Sequence, residues 1–252
     1  MRQLLILCTF IVACGPPPTG TLSSKVSRDP ALATTFTTED GWTLNFTHVV
    51  IAISGVSAKG GEDVGFPAGL AKPKVVDLVV GEGVDLVSNA MATPKAYDTV
   101  ALALGRATGD ENVNVPADVL NRMGQRPFYV EGTASKQSTM RTFQLGSSKA
   151  VTFSGCMPSA TVAANGTATL DFRVHAQRVF HDDAGKMRFE AWALADTAPV
   201  DTVVVNTEAQ TIMTSTLPPA HYGMTQGNLI TVFEKRLLGI VGLGDSGTCT
   251  GQ

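Results

Sequence analysis

The chain has 252 residues, of which 44% are apolar and 16% charged, enough to bury a substantial core. Its formal net charge is -3 and its lysines and arginines form no dense cluster, so the positive face that displaces counterions from nucleic acid is missing. A length of this order is read as one domain, because all-β domains of this size are common as single units.

Arg2 precedes an apolar run, Leu4 to Val12. The run is too short to span a bilayer as a stable helix and reads as the core of a signal peptide. The stretch that ends it, Ile11-Val12-Ala13-Cys14, resembles the bacterial lipobox. That resemblance implies that Cys14 takes a diacylglycerol, that the chain is cut before it, and that its lipid holds the mature protein to a membrane. Gly15 stands where an Asp would resemble an inner-membrane retention signal, so the implied location is the outer membrane. After Cys14 no apolar stretch is long enough to cross a bilayer, which leaves a soluble body on a lipid. Residues 15–30 begin Gly-Pro-Pro-Pro-Thr-Gly-Thr and show no apolar periodicity, so they read as a flexible tether. The expected organisation is a signal peptide over 1–13, a lipidated Cys and tether over 14–30, and a single domain over 31–252.

Asp40-Gly41 signals a turn, and Trp42, Leu44 and Phe46 then alternate with polar residues as in a strand. After His48 the apolar side changes parity to Val49, Ile51 and Ile53. Either the strand is bulged near His48, or its second half is covered on both faces. Residues 55–69 are glycine-rich and loop-like. Lys74 to Val80 is a β-branched run, and Gly81-Glu82-Gly83 turns it into Val84 to Val87, expected as its hairpin partner. Tyr97 to Leu104 alternates again. Residues 110–125 hold either one helical turn around Ala117 to Met123 or a loop.

Short strands follow at Phe128 to Val130, Met140 to Leu145 and Ala150 to Phe153. Asn165-Gly166 supplies the left-handed dihedrals of a tight hairpin. The outgoing strand, Thr167 to Phe180, sets Leu170, Phe172 and Val174 against Asp171, Arg173 and His175, so His175 is expected to point outward. Met187 to Leu194 carries Phe189 and Trp192 at helical spacing, though a strand also fits. Asn228 to Leu237 places Leu229, Val232, Phe233 and Leu237 on one stripe of a short amphipathic helix. Many short strands with Gly and Asn turns predict an all-β sandwich, immunoglobulin-like or related, with one or two short helices inserted late.

Cys8 leaves with the signal peptide and Cys14 carries the lipid. Cys156 and Cys249 remain as an even pair in an oxidising compartment, expected as a disulfide in place of two free buried thiols. Gly244-Asp245-Ser246-Gly247 resembles the nucleophile motif of chymotrypsin-like proteases. The histidine setting of that family is missing, and only five residues follow Gly247, so a glycine-rich turn before Cys249 is the better reading. Gly242 to Gly247 also fits a dinucleotide fingerprint, but the chain ends before the helix and strand it needs. Asp196 to Glu208 resembles a calcium loop with most ligand positions lost, and is read as a structural turn.

His48, His175, His181 and His221, with Asp182 and Asp183, are the groups suited to a soft or borderline metal. They meet no ligand-spacing motif, so ordinary structural histidines are the plainer reading. If His48 faces with Trp42 and Phe46, it points into the apolar core and is structural. If a metal is held, His181, His221 and Asp183 are the candidate ligands. Residues 34–249 as a whole resemble a loosely defined group of uncharacterised bacterial lipoproteins. The carriers are Phe36 to Trp42, Val76-Asp77-Leu78, Cys156, His175 with Phe180, Asp182 and Asp183, the Asp196 loop and Cys249. A fainter similarity to periplasmic copper-binding proteins associated with methanobactin implies copper, although their ligands do not map onto this chain. These readings converge on a lipid-anchored, non-catalytic binding or structural module of the cell envelope, with no cofactor. Its expected partners are the membrane, through the lipid, and an envelope protein or small ligand. A periplasmic copper-binding protein is the alternative.

Overall fold

The computed structural model describes residues 18–66, 70, 72–107, 111–157, 159–182, 184–194, 211–212 and 227–252. The first part of the chain forms β1 (Gly20–Arg28), β2 (Phe36–Thr37), β3 (Thr43–Gly60), β4 (Asp63–Phe66), β5 (Lys74–Asp77), β6 (Gly83–Ala92), β7 (Ala96–Tyr97), β8 (Thr99–Leu104) and the helix α1 (Ala117–Met123). There follow β9 (Phe128–Lys136), β10 (Thr139–Ser147), β11 (Val151–Met157), β12 (Ala160–Thr161) and β13 (Thr167–Val174). The last elements are α2 (Glu190–Leu194), β14 (Thr211–Ile212), β15 (Gly227–Asn228), α3 (Leu229–Leu237), β16 (Val241–Leu243) and β17 (Thr248–Gly251).

The protein is an all-β sandwich with few short helices. One sheet has four strands in the order β16-β13-β1-β6. The other has nine, ordered β10-β9-β3-β8-β11-β17, with β2, β4 and β5 also paired to β3. Alternate residues of both sheets meet in one core, from Leu22 and Val26 of β1 to Leu243 of β16 and Cys249 of β17. Rings meet edge to face at its centre: Phe180 lies 5.3 Å from both Phe143 and Phe189, and 5.7 Å from Trp192. Offset and edge-on ring pairs of this kind add to the burial of their area.

The long strand β3 organises the nine-stranded sheet. Leu44 and Phe46 enter the main core, and after a register shift between Phe46 and His48 the inward parity passes to Val49, Ile51 and Ile53. Both alternatives for this stretch therefore hold. The strand is bulged, and beyond the bulge its other face is covered as well. Val50 and Ala52 pack with Val75, Tyr129, and Val119 and Met123 of α1 in a second, smaller core.

Several expectations are corrected by tertiary pairing. The presumed tether contains β1, which lies between β13, parallel, and β6, antiparallel. The folded body thus begins by Gly20 and not at residue 31. With only Leu22 and Val26 as large apolar residues, this strand carries too weak an alternation to be seen locally. The glycine-rich stretch 55–69 is largely strand, because β3 runs on to Gly60 and returns as β4. β5 and β6 are not hairpin partners: β5 pairs with β3 and β6 with β1, so the chain changes sheets at Gly83. Gly83 has φ 148°, and a Cβ there would sit 2.1 Å from the Val26 carbonyl oxygen, so only glycine lets the chain cross this close to β1. The Asn165-Gly166 turn forms, with Asn165 at φ 56°, but it joins different sheets, since β12 pairs with β7 while β13 pairs with β1 and β16. β13 stops at Val174, where His175 turns at φ -98° and ψ 65° into a 3-10 turn over Ala176–Phe180.

The late helices are present. α2 takes up the helical spacing of Phe189 and Trp192, and Asp40 accepts hydrogen bonds from the backbone N–H groups of Phe189 and Glu190 at its start. α3 buries Phe233 and Leu237 and exposes Lys235. Cys156 and Cys249 are joined in a disulfide. It ties the last strand, β17, to its neighbour β11, and so holds the edge of the sheet. No helix among the described residues is long and apolar enough to cross a membrane.

Candidate functional site

Of the expected metal ligands, His181 alone lies among the described residues. His221 and Asp183 lie outside the described residues, as does the Asp196 to Glu208 loop. His181 follows the 3-10 turn, half-buried, and pairs by a β-bridge with Met187. Burial and the charges of Arg178 and Arg236 outweigh Asp182 and hold its ring below the ordinary histidine range. Asp182 accepts from the N–H groups of Ala184 and Lys186 and from Arg188, so it closes a turn. Among the described residues no three His, Cys, Asp or Glu side chains converge as a metal site would require.

His175 does not point outward. It is 5% exposed, with Nδ1 2.5 Å from Asp29 Oδ2. Asp29 also accepts from the Ala31 N–H and the Gln177 amide, and so links the end of β1 to the end of β13. Burial depresses the His175 pKa, Asp29 opposes this, and Arg178 and Arg173 add to it, so the ring is neutral and donates Nδ1–H. Burial alone would raise the Asp29 carboxyl, but the bonds from His175, Ala31 and Gln177 bring it below the usual range.

The β3 bulge turns His48 away from the core to a half-buried place, with Nδ1 2.5 Å from Asp77 Oδ2. Asp77 is fully buried, and its other oxygen accepts from the N–H groups of Val49 and Val79. Asn114 clamps the Asp77 backbone through both its N–H and its carbonyl. Across the strand pair, Glu131 is held by Arg122 Nε and Nη2 and by the Tyr129 hydroxyl. Burial raises the Glu131 pKa, yet Arg122 and Tyr129 outweigh it and keep the carboxylate charged. Burial and that carboxylate together push the Tyr129 phenol up, so it remains a donor. Such a pair can orient an imidazole, but among the described residues no hydroxyl or thiol is hydrogen-bonded to either histidine ring, as a nucleophile would be. The Gly244 to Gly247 segment is the tight β16–β17 turn, with Gly244 at φ 61° and Asp245 paired to Arg173.

A cleft of about 610 Å³ lies across the outer face of the four-stranded sheet. β1 contributes Ser23, Ser24 and Lys25, β6 contributes Asp85, Ser88 and Asn89, and β13 contributes Thr167, Thr169 and Asp171. Its shape comes from two register shifts between β1 and β6, the first of which sets Ser23 against both Ser88 and Asn89. Asn89 takes the left-handed conformation, φ 52°, and its N–H donates to Ser23 Oγ. Asn tolerates that conformation better than most residues. Asp171 is committed, accepting from Ser27 and pairing with Lys25 and Arg173. The exposed side chains of Asp85, Ser88, Asn89 and Thr169 make no hydrogen bond to described residues. Ser24 is 1% exposed, and its hydroxyl finds no partner among the described residues. A second, smaller cavity of about 280 Å³ lies beside α3, and the paired Lys149 and Glu234 are among its lining.

The cleft residues carry no motif. Two of the three strands, β1 and β13, are far apart in sequence and adjacent only through their parallel pairing. The outward polar side chains at every second position of Thr167, Thr169 and Asp171 are what any solvated strand face shows, so they mark no site. No protein-family model, curated protein or solved structure matches the chain.

Proposed function

We propose that this protein is a lipid-anchored module of the bacterial envelope, held through Cys14, that binds its partner without catalysis on the cleft of the four-stranded sheet. The cleft carries this reading: three strands turn polar side chains to one concave surface, and four of those side chains are uncommitted. Groups left unpaired on a preformed surface are available to a ligand at little ordering cost. The anchor rests on the likeness of Ile11 to Cys14 to a lipobox. The start of β1 at Gly20 fits it, because a lipid on Cys14 would leave a leash of at most about 20 Å before the sheet. The outer membrane is the favoured location because Gly15 follows the cysteine. In cells, Cys14→Ser is expected to abolish lipid processing and yield an uncleaved or soluble chain. Unchanged detergent partitioning with an unchanged amino terminus, read by intact mass, would remove the lipoprotein reading.

A further inference from the structure

We infer that the cleft across β13, β1 and β6 is a binding site for a neutral saccharide, held by hydrogen bonds to its hydroxyl groups; this rests on the proposal that the cleft is the binding surface. The chemistry of the walls selects the ligand class. Asp85 and Asp171 disfavour an anion, and the cleft's one ammonium, Lys25, is spent on Asp171. No large apolar side chain lines the cleft, so an apolar ligand would gain no contact there. A hard cation would need several oxygen ligands around one point, and Asp171 is already engaged by Ser27, Lys25 and Arg173. What remains is a mixture of acceptors and donors at close spacing. The Asp85 carboxylate accepts, the Asn89 amide does both, and the Ser88 and Thr169 hydroxyls do either. A pair of neighbouring hydroxyls on a sugar ring presents the complementary alternation of donor and acceptor.

The depression is built and not incidental. Without the bulge at Ser23, Ser88 and Asn89 would follow the pleat, and one of them would face the core. The Ser23 hydroxyl holds the bulged strand by accepting from the Asn89 N–H. The left-handed backbone at Asn89 is the local strain this arrangement carries. With no aromatic platform in the lining, stacking contributes nothing, and the affinity is expected to be modest.

The full-length protein, in detergent if it carries lipid, is titrated with maltotetraose and chitotetraose while backbone amide shifts are followed by NMR. Saturable shifts confined to β1, β6 and β13 around Ser23, Asn89 and Thr169 are expected with at least one of the two. Asn89→Gly keeps the left-handed backbone and removes only the amide, and should weaken that binding about fivefold. Asp85→Ala removes a charged acceptor and should weaken it tenfold or more. No shift with either sugar, shifts elsewhere, or binding unchanged in both variants overturns the inference. Inorganic phosphate and calcium are titrated in parallel. A cleft response to one of them and none to sugar rejects the saccharide but leaves a binding surface, whereas silence with all four probes removes both.

Discussion

Removing the Cys156–Cys249 disulfide is expected to cost the protein a third or more of its margin of stability. The two cysteines are 93 residues apart, so the bond closes a long loop in the unfolded chain. In the chain-entropy model a loop of this length corresponds to about 4.7 kcal/mol at 25 °C, an upper figure because residual structure in the unfolded chain lowers it. Typical domains are stable by only about 5–15 kcal/mol. The folded side adds to the loss. β17 is an edge strand paired to β11 at Phe153–Gly251, Ser154–Thr250 and Met157–Thr248, with a register shift between the last two. Without the covalent link so short an edge should fray, exposing Cys156, which is fully buried, and the neighbouring Phe153. The measurement is urea unfolding of the oxidised protein against the Cys156→Ala/Cys249→Ala double variant. A shift in midpoint of about 2 M is expected, given a slope near 2 kcal/mol per molar for a domain of this size. A loss below about 1 kcal/mol with an unchanged slope would refute the loop argument. Two titratable thiols in the denatured, unreduced protein would refute the bond itself.

Two further changes probe the polar clusters. Asp77→Ala strands the buried N–H of Val49, the N–H of Val79 and the His48 ring, and should destabilise by about 3 kcal/mol. The same urea assay reads it, and a loss under about 1 kcal/mol would mean that these groups find water instead. The second concerns acid. Burial holds the pKa of His175 and of His181 in the fold below the ordinary histidine value of about 6.5. Below that value the unfolded chain takes up protons that the fold refuses, so stability is fully present above it and falls as pH drops through about 6 towards 5. His175→Asn keeps a donor for Asp29 and should flatten the decline. A flat profile over that range, or an identical slope in the variant, counts against it.

The strand alternation of Trp42, Leu44 and Phe46, the helical spacing of Phe189 with Trp192, and the stripe of α3 were legible because each is a local period imposed by one buried face. The Cys156–Cys249 pair was legible by arithmetic, since two cysteines were left once Cys8 and Cys14 had been assigned to an expected signal peptide and lipid site. The candidate site was not legible at all. Its residues are serines, threonines, asparagine and aspartates, which are ordinary on any solvated strand face. Nothing local distinguishes Asn89 from another exposed polar residue until β1 is seen beside it.

Local pattern, then, was enough for the class of the fold, the existence of most strands and the late helices. Tertiary structure decided the rest: that Gly20–Arg28 is a central strand, that β5 and β6 part to different sheets, and that His48 and His175 each end against a buried or half-buried aspartate. The physical reason is the same in each case. Period and turn chemistry act over a few residues, whereas partner choice depends on which faces remain to be buried when distant segments meet. A strand with two apolar residues, such as β1, is stabilised by its neighbours, and its sequence alone cannot name them.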